Sequence, residues 1–170
     1  YTKFAIYIAK KAGLIQMSYF GNITEIKKKS SHIDILTEAD TKSEELIVKE
    51  ISQLYPSHSI VSEESKDIYN DSEYKWIIDP LDGTTNFAHN LPIFAVSIAL
   101  QHKGVLDQAV IYDPLKQELF TASKGTGALL NNKKIRVTSK KSLDGALLGT
   151  GFPYNNEKAV THFIKSFKAF

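Results

Sequence analysis

The sequence contains no cysteine, and only one methionine and one tryptophan, in 170 residues. Without cysteine there are no disulfides, no thiolate metal sites and no thiol nucleophile. A dominant charge of either sign is also lacking. The net charge of +2 is too small to argue for nucleic acid or a membrane surface by itself. No apolar run is long enough to span a bilayer. The opening stretch, Tyr1 to Phe20, is broken by Lys3, Lys10, Lys11 and Gln16 and lacks the clean apolar core of a secretory leader. No internal repeat or low-complexity segment stands out. These absences are compatible with a cytoplasmic protein. The first residue is Tyr rather than Met, so the reading expects further residues upstream.

A hydrophobic share of 42% and a charged share of 24% belong to a globular chain, and its length suffices for one domain with a real core. The most informative stretch is Trp76-Ile77-Ile78-Asp79-Pro80-Leu81-Asp82-Gly83-Thr84-Thr85-Asn86-Phe87. Its apolar start reads as the end of a buried strand that delivers Asp79 and Asp82 into a Pro/Gly-bearing turn. Two carboxylates aimed at one spot repel unless a cation sits there, and hard oxygens are what Mg²⁺ takes. A neighbouring hydroxyl can orient a water. Backbone N–H groups after Gly83 can hold an anion if a helix starts at Thr84–Asn86. An EF-hand loop fits poorly, because Pro80 follows the first Asp and Gly83 is fifth rather than sixth. A plain Asp-rich turn capping a helix would use the same residue types. The residues alone leave both readings open.

Around this stretch the spacing predicts helices first and strands afterwards. Ala5, Ile8, Ala9, Ala12, Ile15 and Tyr19 make a helix over 3–19 that ends at Gly21-Asn22. The lysine run Lys27-Lys28-Lys29 reads as a solvated loop. Asp40 is the expected N-cap of a second helix, Thr41 to Leu54, which Tyr55-Pro56 ends. Ser59 to Ser62 reads as a short strand leading to Glu63-Glu64, and Asp67 to Tyr74 as a polar, mobile loop. Strands are expected over 94–101, 105–112, 118–122, 127–130, 133–137 and 146–149, with Asn131-Asn132 as a hairpin turn. A last helix is expected over 156–170. Helices followed by a short-turned meander make an α+β fold with a largely antiparallel sheet, in a single domain spanning 1–170.

Asp79-Pro80-Leu81-Asp82-Gly83-Thr84-Thr85-Asn86-Phe87 resembles the first signature of the inositol monophosphatase family, Mg²⁺-dependent, lithium-sensitive phosphatases. Other stretches resemble the family in the same order. Asp34, Thr37 and Asp40 match an Asp-x-x-Thr-x-x-Asp stretch whose last Asp lies near the metals. Ser62-Glu63-Glu64 matches a Gly-Glu-Glu motif, with Ser62 where Gly is usual. Gly149-Thr150-Gly151-Phe152-Pro153 matches a run found in bacterial members. The family's second signature, Trp-Asp-x-Ala-Ala-Gly, has no counterpart here. The match therefore covers about the first two thirds of a member, without its C-terminal α/β part, and the reading expects the parent chain to continue.

The resemblance implies the first part of the layered αβαβα sugar-phosphatase fold. It also implies Mg²⁺-dependent hydrolysis of a phosphate monoester, inositol 1-phosphate before others, by a metal-activated water. Glu63, Asp79, the Leu81 carbonyl and Asp82 are the implied metal ligands, with Glu63, Asp79 and Thr84 catalytic. Glu63, Leu81, Asp82, Gly83 and Thr84 would meet the substrate, and Lys29, Asp40 and Glu64 would stand behind them. Thr85-Asn86-Phe87-Ala88-His89 favours the inositol-1-phosphatase type over relatives acting on fructose 1,6-bisphosphate or 3′-phosphoadenosine 5′-phosphate. Family members are commonly homodimers, and bacterial ones are associated with RNA or the transcription machinery. Lys133, Lys134, Arg136, Lys140 and Lys141 form a basic cluster open to such a role, although a solvated hairpin is the more ordinary account of it.

Overall fold

The computed structural model describes residues 1–22, 26–28, 35–153 and 156–169. These form two compact units, Tyr1–Arg136 and Val137–Phe170. None of the described helices is long and apolar enough to cross a membrane.

The first unit opens with α1 (Thr2–Tyr19). Ala5, Ile8, Ala9, Ala12, Gly13 and Gln16 lie on its buried face at helical spacing. The small residues let it lie close to the sheet. A Cβ on Gly13 would stand 2.8 Å from the Tyr112 ring. A small antiparallel pair follows, β1 (Ile26–Lys28) with β2 (Ile35–Thr37). Lys27 and Lys28 thus belong to a strand rather than to the solvated loop expected there.

The second helix, α2 (Glu38–Leu54), begins three residues before the expected start at Thr41. Thr37 is its N-cap. Asp40 is the third helical residue, and its Oδ2 accepts the Thr37 backbone N–H at 2.9 Å. The pair is a capping box with Asp in place of the usual Glu or Gln, so Asp40 relieves the helix start from inside it.

Seven strands form one sheet in the order β3-β4-β5-β6-β7-β8-β9. They are β3 (Ser59–Ser62), β4 (Tyr74–Asp82), β5 (Ala95–His102), β6 (Val105–Asp113), β7 (Glu118–Ser123), β8 (Gly127–Leu130) and β9 (Lys133–Ile135). From β4 onward every neighbouring pair is antiparallel, as short connections require. Asn131 and Asn132 turn the last hairpin with φ of 47° and 67°, the backbone of a type I′ turn. The exception is β3, parallel to β4.

Its connection, 63–73, is tied back to the sheet. Ile60 and Ile68 form a bridge, and Asn70 Nδ2 donates to the His58 carbonyl at 2.8 Å. The polar stretch expected to be mobile is therefore anchored by its own backbone.

Both helices cover one face of the sheet. Val96, Ile98 and Leu100 of β5 alternate inward with Trp76 and Ile78 of β4, against Ile8, Ile47 and Ile51. A second apolar cluster of Ala39, Leu81, Phe87 and Phe94, with Phe20 against it, underlies the end of β4.

In the unit Val137–Phe170, α4 (Glu157–Phe167) is capped by Asn156, whose Oδ1 accepts the Ala159 N–H at 3.1 Å. Residues 146–149, expected as a strand, are not in one. Leu147 is fully exposed and Leu148 is exposed. Their apolar character matches a strand, but a strand also needs a neighbour to complete its ladder, and among the described residues none pairs with them.

Candidate active site

The parallel pairing of β3 with β4 places the site. Ser62 stands beside Ile78 in the register, so the next residues, Glu63 just past the end of β3 and Asp79 still within β4, come to the same level at the same end of the pair. An antiparallel pair would have sent them to opposite ends. Glu63 is exposed and Asp79 half-buried.

Asp79 and Asp82 reach one side of β4 by a device other than the expected turn. Asp79 pairs with Ser97 and Asp82 with Ala95, so three steps on β4 match two on β5. That is a β-bulge. Ser97 and Ala95 share a face of their strand, and residues directly opposite in a ladder point the same way. The bulge therefore aligns two carboxylates whose spacing would otherwise put them on opposite faces. Pro80, with no N–H to give a ladder, sits inside it.

Buried groups hold this irregular backbone. Gln16 of α1, fully buried, donates its Nε2–H to the Pro80 carbonyl at 2.8 Å. The Leu81 N–H donates to Asp79 Oδ1 at 3.2 Å, fixing that carboxyl against its own chain. After Asp82 comes Gly83, with φ of 97°, as N-cap of the short helix α3 (Thr84–Ala88). A Cβ there would lie 2.8 Å from the Ile93 carbonyl oxygen, in a backbone region that side chains avoid. The Thr84 hydroxyl lies 2.9 Å from Asp40 Oδ1 and 3.0 Å from the Leu81 carbonyl oxygen. Asp40 thus ties the start of α2 to the start of α3.

The electrostatics of the cluster are unfavourable as it stands. Burial first, then the Glu63 carboxylate, then Asp82, pushes the Asp79 carboxyl from an ordinary 3.8 up to about 7. A hydrogen bond with Glu63 adds to the rise. Burial also raises Asp40, against the bonds from Thr37 and Thr84 that pull it down.

Among the described residues no three His, Cys, Asp or Glu side chains are grouped closely enough to hold a metal ion as they stand. The donor set nonetheless fits a hard divalent cation. Glu63, Asp79 and Asp82 offer carboxylate oxygens within electrostatic reach of one another. The Leu81 carbonyl keeps a second lone pair besides the one Thr84 engages. A bound cation would offset both the burial and the repulsion that raise the Asp79 carboxyl.

The other expected residues are distributed as follows. Glu64 is half-buried beside Glu63, and its backbone N–H donates to Glu44 Oε2 at 2.9 Å. Lys29 and Asp34 lie outside the described residues. Ser62, the departure from Gly, lies in extended strand and is not among the residues with positive φ, so no glycine is needed there. Lys133, Lys134 and Arg136 are exposed on and after β9, the last strand of the sheet. Lys140 donates to the Gly145 carbonyl at 2.7 Å within its own unit.

Gln16 and Glu44 escaped the sequence reading. A polar residue inside an otherwise apolar helix stripe was the available signal for Gln16. For Glu44 it was the four-residue step from Asp40, which puts both acids on one helix face.

Known proteins resemble this chain in sequence and in fold. The chain is 52% identical over 141 residues to the Nus factor SuhB of Pseudomonas aeruginosa, an overlap of 80% of this chain and 52% of that protein. The extragenic suppressor protein SuhB of Bartonella henselae superposes with a TM-score of 0.80 at 40% identity, covering 83% of this chain and 55% of the other. An IMPase of Thermotoga maritima gives a TM-score of 0.76 at 36% identity, covering 81% and 53%. The α+β fold is thus that of the sugar phosphatases, and the chain spans about half the length of each of these three proteins. The sequence model of the inositol monophosphatase family matches residues 1–170, and the chain belongs to that family.

Proposed function

We propose that the whole protein hydrolyses a phosphate monoester with Mg²⁺, inositol 1-phosphate first among its substrates, in the cytoplasm. The observation that carries this reading is Asp79: half-buried, facing Glu63 and Asp82, and pushed up to about 7 by burial and then by those two carboxylates. Glu63, Asp79, the Leu81 carbonyl and Asp82 would hold the metal. When bound, Mg²⁺ supplies positive charge that eases deprotonation of water and offsets charge on the phosphate.

The chain's own groups do the rest. With a cation held there, Asp79 would serve as a carboxylate. Thr84, its hydroxyl held by Asp40 and the Leu81 carbonyl, orients the attacking water, and Glu63 takes the proton from that water. Water oxygen bonds to phosphorus as the bond to the inositol oxygen breaks in line, and the leaving oxygen takes a proton from solvent water to give the alcohol. Backbone N–H groups of Gly83 and Thr84, at the start of α3, receive phosphate oxygens. Glu64, its backbone held by Glu44, supports these groups from behind. Orientation and charge are all this reaction asks of the protein, so no covalent intermediate is needed.

The test is phosphate release from myo-inositol 1-phosphate by the full-length protein, with and without Mg²⁺, beside Asp79→Asn. Release that needs Mg²⁺ and drops at least ~100-fold in the variant supports the reading. Equal activity in a folded Asp79→Asn protein removes it. Fructose 1,6-bisphosphate and 3′-phosphoadenosine 5′-phosphate, assayed alongside, decide the substrate.

A second reading rests on the Nus factor name carried by the Pseudomonas relative. The same protein would also associate with RNA in the transcription machinery, through Lys133, Lys134 and Arg136. RNA binding that weakens steeply with salt, and is lost when these residues become Ala, supports it. Binding indifferent to them does not.

A further inference from the structure

We infer that Glu44 is a positioning residue for Glu63, acting through the Ser62 hydroxyl before it and the Glu64 backbone N–H after it. The inference rests on the metal reading of Glu63 given above. Glu44 lies on α2 one turn beyond Asp40 and is 4% exposed. Its Oε2 accepts two hydrogen bonds, from the Ser62 hydroxyl at 2.6 Å and from the Glu64 backbone N–H at 2.9 Å. The two donors flank Glu63 in the chain. A single buried carboxylate oxygen therefore clasps the residues before and after the candidate ligand, at the point where β3 ends and no ladder partner continues.

Burying a carboxylate is costly unless its lone pairs are engaged, and bonds to a charged acceptor are the stronger kind. Helix and strand could have been joined by apolar contact at no such cost. What the carboxylate adds is direction: it fixes the peptide plane between Glu63 and Glu64 and ties down the Ser62 side chain just before it. α2 then supports the site twice, with Asp40 setting Thr84 and Glu44 setting Glu63, from one face of one helix. Ser62 also gains a reason. Its hydroxyl supplies one of the two bonds, which a glycine there could not.

The test uses the full-length, metal-free protein and the variants Glu44→Ala, Glu44→Gln and Ser62→Ala. Amide hydrogen exchange over residues 62–65 and Mg²⁺ binding by calorimetry are read together, with thermal unfolding as the control for folding. Glu44→Ala is expected to speed exchange of the Glu64 amide at least tenfold and to weaken Mg²⁺ binding at least tenfold. Glu44→Gln, which keeps an acceptor oxygen, should restore most of both. Ser62→Ala should fall between, and it covers the case in which Glu44→Ala does not fold. Unchanged exchange in folded Glu44→Ala or Ser62→Ala overturns the clasp. Faster exchange with unchanged Mg²⁺ affinity leaves a merely structural bond and overturns the positioning role. A wild-type protein that binds no Mg²⁺ overturns the metal reading itself, and with it the claim that Glu44 serves a ligand, whatever the exchange shows.

Discussion

Gln16 reaches from the buried face of the first helix to the carbonyl of Pro80, the residue inside the bulge between Asp79 and Asp82. The bond is the buried support of a backbone kink that the sheet ladder cannot stabilise. Gln16→Leu keeps the volume and removes the donor, leaving a buried carbonyl unsatisfied. Such a loss costs about 1–3 kcal/mol. Urea unfolding should show a lower midpoint with an unchanged slope, and an unshifted midpoint would mean that the bulge is held by something else.

Metal-free protein should lose stability as pH rises. The Asp79 carboxyl is raised in the fold from 3.8 to about 7, so the folded state keeps a proton that the unfolded chain has released. Its contribution is fully present below the unfolded value and is lost as pH climbs through the folded one. Thermal unfolding in a chelator should therefore decline between about pH 4 and pH 7. Asp79→Asn should flatten that decline, and so should saturating Mg²⁺. A decline of equal steepness in the variant would locate the effect elsewhere.

Gly83 should not tolerate alanine. Its φ of 97° brings backbone strain, and an added methyl would meet the Ile93 carbonyl oxygen at 2.8 Å. Gly83→Ala should cost about 1–3 kcal/mol of stability. Because the displaced backbone is that of the proposed phosphate cradle, turnover should drop about tenfold or more at temperatures where the variant is folded. Chemical denaturation and phosphate release measure the two losses separately.

His58 should make the fold acid-sensitive. Its Nδ1 accepts the Trp76 indole N–H at 3.1 Å, and its ring stacks between Tyr55 and Tyr74 at 4.9 and 4.8 Å. Burial lowers its proton affinity below the ordinary 6.5. The unfolded chain then takes up a proton that the fold resists, so stability is present above 6.5 and is lost as pH falls below it. His58→Phe should be less stable at pH 7.5, where the indole loses its acceptor, and should show a shallower acid decline. Identical acid slopes in the two proteins would clear His58.

Periodicity made the helices and the meander legible, because Ala5-Ile8-Ala12 and Val96-Ile98-Leu100 each carry one repeat over several turns or pleats. The acidic motif was legible as chemistry but not as geometry. A three-residue step between Asp79 and Asp82 suits a turn as well as a bulge, and only the pairing with Ser97 and Ala95 decides between them. The start of α2 was misplaced because Thr37 and Asp40 are both good capping residues, and the sequence does not say which sits outside the helix. Residues 146–149 had a strand's composition without a strand's neighbour. Gln16 and Glu44 act on backbone that lies 64 and 20 residues away in the chain, which no local pattern encodes.

The parallel pair β3–β4 has a consequence for how the molecule folds. Glu63 and Asp79 are sixteen residues apart in the chain, a loop whose closure is entropically cheap. The two acids meet when that pair forms. Their repulsion opposes that step, and a divalent cation present at that moment is expected to speed it rather than merely occupy the finished site. Refolding rate, followed against Mg²⁺ concentration, would make the ion a participant in folding as well as in chemistry.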